Sequence, residues 1–139
     1  MRIERILTQA EVLELPLSTL AYIGDAVYEL AVRRHLMEGC HADSGKLYVK
    51  SLAYVEASAQ SEALQAILDD LNESESSLCR RARNQAPHSK PRNADLADYR
   101  LATALEALLG WHWLQGNEER TEQIIHLCFN FVEKKEGKA

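Results

Sequence analysis

The sequence predicts an all-α protein that folds as a single compact helical bundle. Apolar residues recur at the three- and four-residue spacing of amphipathic helices along almost the whole chain, and no stretch alternates like a β-strand. Only three prolines and six glycines interrupt the 139 residues, which leaves long stretches free to be helical. A chain of this length suits one domain. We expect that domain to span 1–139, with a core at about 15–134 and a flexible tail at 135–139.

Helix boundaries are predicted from the positions of prolines, glycines and capping residues. The predicted helices cover about 9–15, 18–37, 44–71, 75–84, 94–114 and 118–133. Ser18 or Thr19 is expected to cap the second helix, and 85–93, which contains two prolines, is expected to be a loop. The buried stripe of the second helix is expected to consist of Leu20, Ile23, Val27, Leu30 and Ala31.

Composition narrows the class of protein. The chain is 46% hydrophobic and 27% charged, which is ordinary for a globular domain. No window approaches 18 uninterrupted apolar residues, so we expect no membrane span. The charged start lacks the apolar core of a secretion signal. Three cysteines far apart in sequence argue against a disulfide framework and favour a reducing compartment, so we expect a cytoplasmic protein.

Charge is distributed unevenly along the chain. The net charge is −5, but residues 80–100 carry six cations and two anions, so this segment is +4 and the rest is −9. A basic segment on an acidic body is compatible with local contact to a polyanion. From composition alone, a solvated run of surface charges explains the segment at least as well.

Two isolated acids interrupt apolar helical patterns, and each has a glycine nearby. Asp25 follows Gly24, and Glu106 lies four residues before Gly110. A glycine inside an amphipathic helix costs about 1 kcal/mol relative to alanine and often marks close approach of another backbone. A carboxylate in an apolar run is expensive unless it is paired or bound to a metal. Singly, each acid is explained as a surface group; together they suit two helices that cross closely and bring their acids together.

The same residues carry a family resemblance. The segments IGDAV (23–27) with Glu29, and EALLG (106–110), resemble the two acidic helices of the ribonuclease III domain. The longer segments LAYIGDAVYE (20–29), RRARN (80–84), PRNAD (91–95) and YRLATALEAL (99–108) resemble the Mini-ribonuclease III group, in which the catalytic domain stands without a separate double-stranded-RNA-binding domain. The likeness spans about 15–114, which is most of the chain.

The resemblance implies a homodimer with the ribonuclease III endonuclease fold and a Mg²⁺-dependent endonuclease that cuts double-stranded RNA. The usual task of the group would be maturation of the large-subunit (23S) ribosomal RNA precursor, with a ribosomal protein as a candidate helper. Asp25 and Glu106 would be the catalytic carboxylates that hold Mg²⁺, with Mn²⁺ able to substitute. Supporting roles around those ligands are expected for Tyr22, Glu29, Tyr99 and Thr103.

The resemblance also assigns the basic segment to RNA contact. The candidate residues are Arg80, Arg81, Arg83, Lys90, Arg92 and Asn93. The chain departs from the larger ribonuclease III enzymes at Ala21 and Thr103, which stand where those enzymes have carboxylates. A further carboxylate of those enzymes, from the helix between, has no clear counterpart in this chain, although Asp43 lies in that neighbourhood. The metal site is therefore predicted to have fewer carboxylates. The alternatives are a non-catalytic helical RNA-binding or ribosome-assembly factor and a helical module that binds an acidic protein.

Overall fold

The computed structural model describes residues 5–85 and 95–137, and within these ranges every regular element is helical. The α-helices are α1 Gln9–Leu13, α2 Leu17–Gly39, α3 Ser44–Val55, α4 Ala57–Ile67, α5 Glu73–Asn84, α6 Leu96–Leu114 and α7 Glu118–Lys135, with a short 3₁₀ turn at Leu68–Asp70. The predicted all-α fold is confirmed. None of the helices in the described ranges has the length and hydropathy needed to cross a bilayer.

The start of α2 differs from the prediction that Ser18 or Thr19 caps it. The helix begins at Leu17, and Pro16 occupies the capping position without a side-chain hydrogen bond. The Pro16 carbonyl accepts hydrogen bonds from the backbone N–H groups of Thr19 and Leu20, at 3.0 and 3.2 Å. Because proline already has a φ close to the helical value, here −59°, the helix can start directly after it.

The long helix predicted for 44–71 is wrong, because Glu56 interrupts it. Glu56 has an extended backbone, with φ −62° and ψ 149°, and separates α3 from α4. The change of direction allows α3 to pack on α2 while α4 packs on α6. The helix predicted to begin at residue 75 begins two residues earlier, since Asn72 and Glu75 form a capping box around its first turn.

The core surrounds α6, which packs against α2, α4, α5 and α7. Its residues Leu105, Leu108 and Leu109 are completely buried, as expected, and Leu101 is half-buried. Two of the three cysteines, at 79 and 128, are also buried, while Cys40 is half-buried. All three are free thiols.

The buried face of α2 differs from the predicted stripe. Residues four apart form the contact ridge, namely Leu20, Gly24, Tyr28, Val32 and Leu36. Leu30, which we expected inside, is 68% exposed, and the other predicted stripe residues after Leu20 are half-buried. Side chains four residues apart form ridges that fit into the grooves of a neighbouring helix, and the buried face of α2 is one such ridge. Leu30 does not belong to this ridge, so it lies on a different face of the helix.

Candidate active site

Two glycines bring α2 and α6 into backbone contact. A Cβ atom at Gly24 would lie 1.6 Å from the carbonyl oxygen of Glu106, and one at Gly110 would lie 1.9 Å from that of Leu20. Neither contact is possible for a real side chain, so this crossing requires glycine on both helices. The predicted close approach of the two acidic helices is confirmed.

The crossing places Asp25 beside Glu106. The Asp25 carboxyl group lies close enough to that of Glu106 for its negative charge to act on it. Asp25 faces solvent, whereas Glu106 is largely enclosed by the surrounding helices. Burial, followed by the negative charge of Asp25, raises the pKa of Glu106 from 4.5 to about 8. The two acids, 81 positions apart in sequence, therefore share one site.

Such a pair fits a magnesium ion. Mg²⁺ binds oxygen ligands, retains several waters and is commonly held by one or two carboxylates. A cation here would compensate the burial and the negative charge of Asp25, which together raise the pKa of Glu106. Across the described ranges, no group of three or more Asp, Glu, His or Cys side chains is arranged to hold a metal. The protein ligands available at this crossing are thus the two carboxylates.

The residues expected to support these acids differ in what they contact. Glu29 is half-buried, its charge acts on Glu106, and its carboxylate accepts a hydrogen bond from Arg33 at 3.2 Å. Thr103 donates its hydroxyl to the Tyr99 carbonyl one turn earlier in α6, at 2.9 Å. Tyr22, one turn before Asp25, is 78% exposed. Of these residues, Glu29 is the one that acts on the Glu106 carboxyl group.

The departures from the larger enzymes can also be located. Ala21 is 7% exposed and packs in the core. Asp43 is the N-terminal cap of α3, where its side chain accepts a hydrogen bond from the Lys46 N–H at 3.0 Å. The Asp43 carboxylate is therefore engaged in holding a helix end.

The basic residues of α5 lie on the exposed side of a helix that packs on α6. Cys79 contacts the Ala104 carbonyl at 4.0 Å and fixes the inner face. Arg81 and Arg83 are exposed, and Arg80 forms an ion pair with Glu73 at 3.0 Å. The other candidates for RNA contact, Lys90, Arg92 and Asn93, lie outside the described residues, as does most of the loop predicted for 85–93.

Two polar features were missed in the sequence. Gln60 of α4 is 3% exposed and lies close enough to Glu106 for its amide to lower the pKa of that carboxyl group, but a glutamine in an amphipathic helix gives no distinctive signal. Glu75 is completely buried, where it pairs with His112 at 2.6 Å and with Arg120 at 2.8 Å. Burial alone would raise the pKa of Glu75. The hydrogen bonds from Arg120, the Asn72 backbone and His112 outweigh burial and lower this pKa to about 2. This cluster ties α5, α6 and α7 together.

Comparison with known proteins agrees with this geometry. The family model described as "Ribonuclease III domain" matches residues 18–117. A protein named Mini-ribonuclease 3 from Symbiobacterium thermophilum is 39% identical, with 90% of this chain and 96% of that protein covered. Another protein of that name, from Thermoanaerobacter sp., is 37% identical, with 93% of this chain and 91% of that protein covered.

The fold has a solved relative as well. The X-ray crystal structure of a protein from Fusobacterium nucleatum superposes with a TM-score of 0.75 and 32% identity, covering 88% of this chain and 95% of that one. The chain therefore belongs to the ribonuclease III family, within the Mini-ribonuclease III group, and is an endoribonuclease acting on double-stranded RNA.

Proposed function

We propose that the protein hydrolyses phosphodiester bonds of double-stranded RNA with a Mg²⁺ ion held by Asp25 and Glu106. The observation that carries this proposal is the meeting of the two carboxyl groups at the crossing of α2 and α6, where Glu106 is buried against a second acid. Two carboxylates this close are costly unless a proton or a cation lies between them. A divalent ion that also binds the RNA phosphate would remove that cost.

The two carboxylates have different tasks in this proposal. Glu106 is anchored inside the bundle, so it sets the position of the ion relative to α6. Asp25 faces solvent and holds the ion at the surface, where a phosphate of the duplex can reach it. When bound, the ion would supply a hydroxide-like nucleophile and offset charge on the scissile phosphate. Mn²⁺ takes the same oxygen ligands and should substitute.

The exposed arginines of α5 are proposed to hold the RNA backbone. Arg81 and Arg83 extend from the helix whose other face packs on α6. Arg80 would join them after giving up its ion pair with Glu73, an exposed contact of small energy. Lys90, Arg92 and Asn93 follow in the chain and would extend the same contact. Contacts of this kind bind the phosphate backbone of any duplex rather than a particular base sequence.

A homodimer is proposed through the apolar face that α2 and α3 leave uncovered. Leu30, Met37 and Tyr48 are between 53 and 68% exposed and line one groove together with Leu47. A second copy of this chain would cover that face, which explains why Leu30 is apolar but lies outside the monomer core. Leu30→Glu should convert a dimer into a monomer by sedimentation velocity, and an unchanged mass would reject this interface.

The biological substrate is proposed from the family resemblance. The usual task of Mini-ribonuclease III enzymes indicates the large-subunit (23S) ribosomal RNA precursor as substrate, in the cytoplasm, with a ribosomal protein as a candidate helper. Deleting the gene for this chain should leave that precursor with unprocessed ends, which primer extension would map. Normal ends in the deletion strain would reject the assignment.

The central test compares the wild type with Asp25→Asn on a structured RNA duplex. We expect the wild type to cut in Mg²⁺ or Mn²⁺ and to stop in a chelator. Loss of one carboxylate ligand should cost several kcal/mol of transition-state stabilisation, and hence reduce kcat by at least about 100-fold. Asp69→Asn, at an exposed acid in the 3₁₀ turn, is the matched control and should cut normally. Binding without cleavage by both wild type and Asp25→Asn would instead support a non-catalytic RNA-binding factor.

A further inference from the structure

Gln60 is held in a fixed orientation between α3 and α6. Its Nε2 atom donates a hydrogen bond to the carbonyl oxygen of Val55, the last residue of α3, at 3.1 Å. The Glu106 carboxyl group lies close enough to the same amide for hydrogen bonding between them to lower the pKa of Glu106. The Val55 carbonyl and an ionised carboxylate can only accept, so the NH₂ end of the amide is the end that faces Val55 and the end that can stabilise an ionised Glu106. The break at Glu56 is what brings the Val55 carbonyl within reach of this side chain.

The other end of the Gln60 amide has no partner. Its Oε1 atom is buried and accepts no hydrogen bond from the described part of the chain. A buried oxygen left in this state costs about 1–3 kcal/mol. Turning the amide over would set Oε1 against the Val55 carbonyl, which is itself an acceptor. The residue that acts on the proposed metal ligand Glu106 therefore carries an unused acceptor.

We propose that Gln60 is a positioning residue of the metal site, which orients the Glu106 carboxylate through its N–H and accepts a hydrogen bond through Oε1 from a hydration water of the magnesium ion. The inference rests on the proposed function. With two carboxylates as its protein ligands, the ion would keep most of its octahedral positions filled by water, and those waters need acceptors. Groups that hydrogen-bond to a metal's ligands are usually worth 10- to 100-fold in affinity or activity.

A merely structural role must be distinguished from this one, because the same hydrogen bonds also join α3, α4 and α6. Gln60→Leu removes both hydrogen-bonding functions while keeping a similar volume. Gln65→Leu is the matched control, since Gln65 lies on the same helix, is exposed, and donates its side-chain hydrogen bonds to Ser61 one turn earlier. If Gln60→Leu is poorly folded, the unbranched Gln60→Met takes its place.

Three measurements are made on each variant: Mn²⁺ affinity without RNA, from the electron paramagnetic resonance of free Mn²⁺; kcat and KM on duplex RNA; and the Tm in a chelator. For Gln60→Leu we expect Mn²⁺ affinity and kcat to fall about 10- to 100-fold, with KM within about twofold and Tm not lowered. Gln65→Leu should match the wild type. The chelator keeps the Tm independent of metal binding.

The outcomes separate the two proposals. If the wild type binds Mn²⁺ and cuts RNA, and Gln60→Leu does so equally well, the role of Gln60 is rejected and the proposed function stands. A lower Tm with unchanged Mn²⁺ affinity also rejects it, because that result describes a structural contact. If wild type and Asp25→Asn bind Mn²⁺ equally and neither cuts, the proposed function itself fails.

Discussion

Replacing Glu106 with glutamine should change how the stability of the metal-free protein depends on pH. In the unfolded chain this carboxyl group has its ordinary pKa of 4.5, whereas burial and the neighbouring Asp25 raise the pKa to about 8 in the folded protein. Between these two values the folded state binds more protons than the unfolded state. The free energy of unfolding must therefore fall as the pH rises from about 4.5 through 8. Glu106→Gln lacks this titrating group.

The magnitude follows from the same shift. One pKa unit corresponds to about 1.4 kcal/mol, so the whole change is at most about 5 kcal/mol. Small domains have total stabilities of about 5–15 kcal/mol, so even half of that value is measurable. Stability should be highest below the unfolded pKa and lowest above the folded one. The titratable groups other than residue 106 are common to both proteins, and their contributions cancel in the comparison.

Urea unfolding in a chelator at several pH values between about 5 and 8 provides the assay. Glu106→Gln should become progressively more stable relative to the wild type as the pH rises. Calorimetric titration with Mn²⁺ at pH 7, in two buffers of different ionisation enthalpy, should show release of up to about one proton per site by the wild type, because the pKa of Glu106 in the metal-free protein is about 8. Parallel stability curves for the two proteins, together with metal binding that releases no proton, would refute the idea that Glu106 and Asp25 share one cation site.

The remaining predictions concern packing, folding and RNA contact. Gly24→Ala places a Cβ atom 1.6 Å from the carbonyl oxygen of Glu106, so α2 and α6 must separate. We expect the free energy of unfolding in urea to fall by about 1–3 kcal/mol or more, and kcat to fall at least about 100-fold. Gly39→Ala, whose Cβ atom would have nothing within 4 Å, should keep the stability and the kcat of the wild type. Glu75→Ala removes the carboxylate that pairs with the buried His112 and the half-buried Arg120, and should cost about 1–3 kcal/mol at pH 7. In the wild type this contribution should disappear as the pH falls from 4.5 towards 2. A difference between the two proteins that does not depend on pH would contradict this prediction. The double variant Arg81→Ala, Arg83→Ala should weaken binding of all duplexes alike and reduce the slope of affinity against salt by about one unit for each phosphate that is no longer bound; an unchanged slope would count against a phosphate-binding role for these arginines.

The local pattern of residues was sufficient to predict much of this protein. Helical spacing of apolar residues predicted the fold class and the approximate extents of α2, α5, α6 and α7. The two glycines beside isolated acids predicted a close crossing of two helices. That inference succeeded because a glycine in a helix has few explanations other than backbone contact, and the contact distances bear it out.

Tertiary packing decided the features that local patterns do not encode. The break at Glu56 occurs at a residue with no helix-breaking property, and it exists because α3 and α4 pack on different helices. The pairing of Glu75 with Arg120, 45 positions away, and the placement of Gln60 against Glu106 follow from the same docking. Leu30 looks like a core residue to any periodicity argument, yet it is exposed because the four-residue ridge of α2 selects another face.

The sequence by itself thus determined which helices form and that two acidic ones approach closely, because helix formation and glycine contacts depend on residues near one another in the chain. Only the tertiary structure decided which polar groups surround Glu106 and how far the pKa of that carboxyl group is raised. Those quantities depend on burial and on charges brought together from α2, α4 and α6. Desolvation is a property of the assembled bundle, and no single helix contains it.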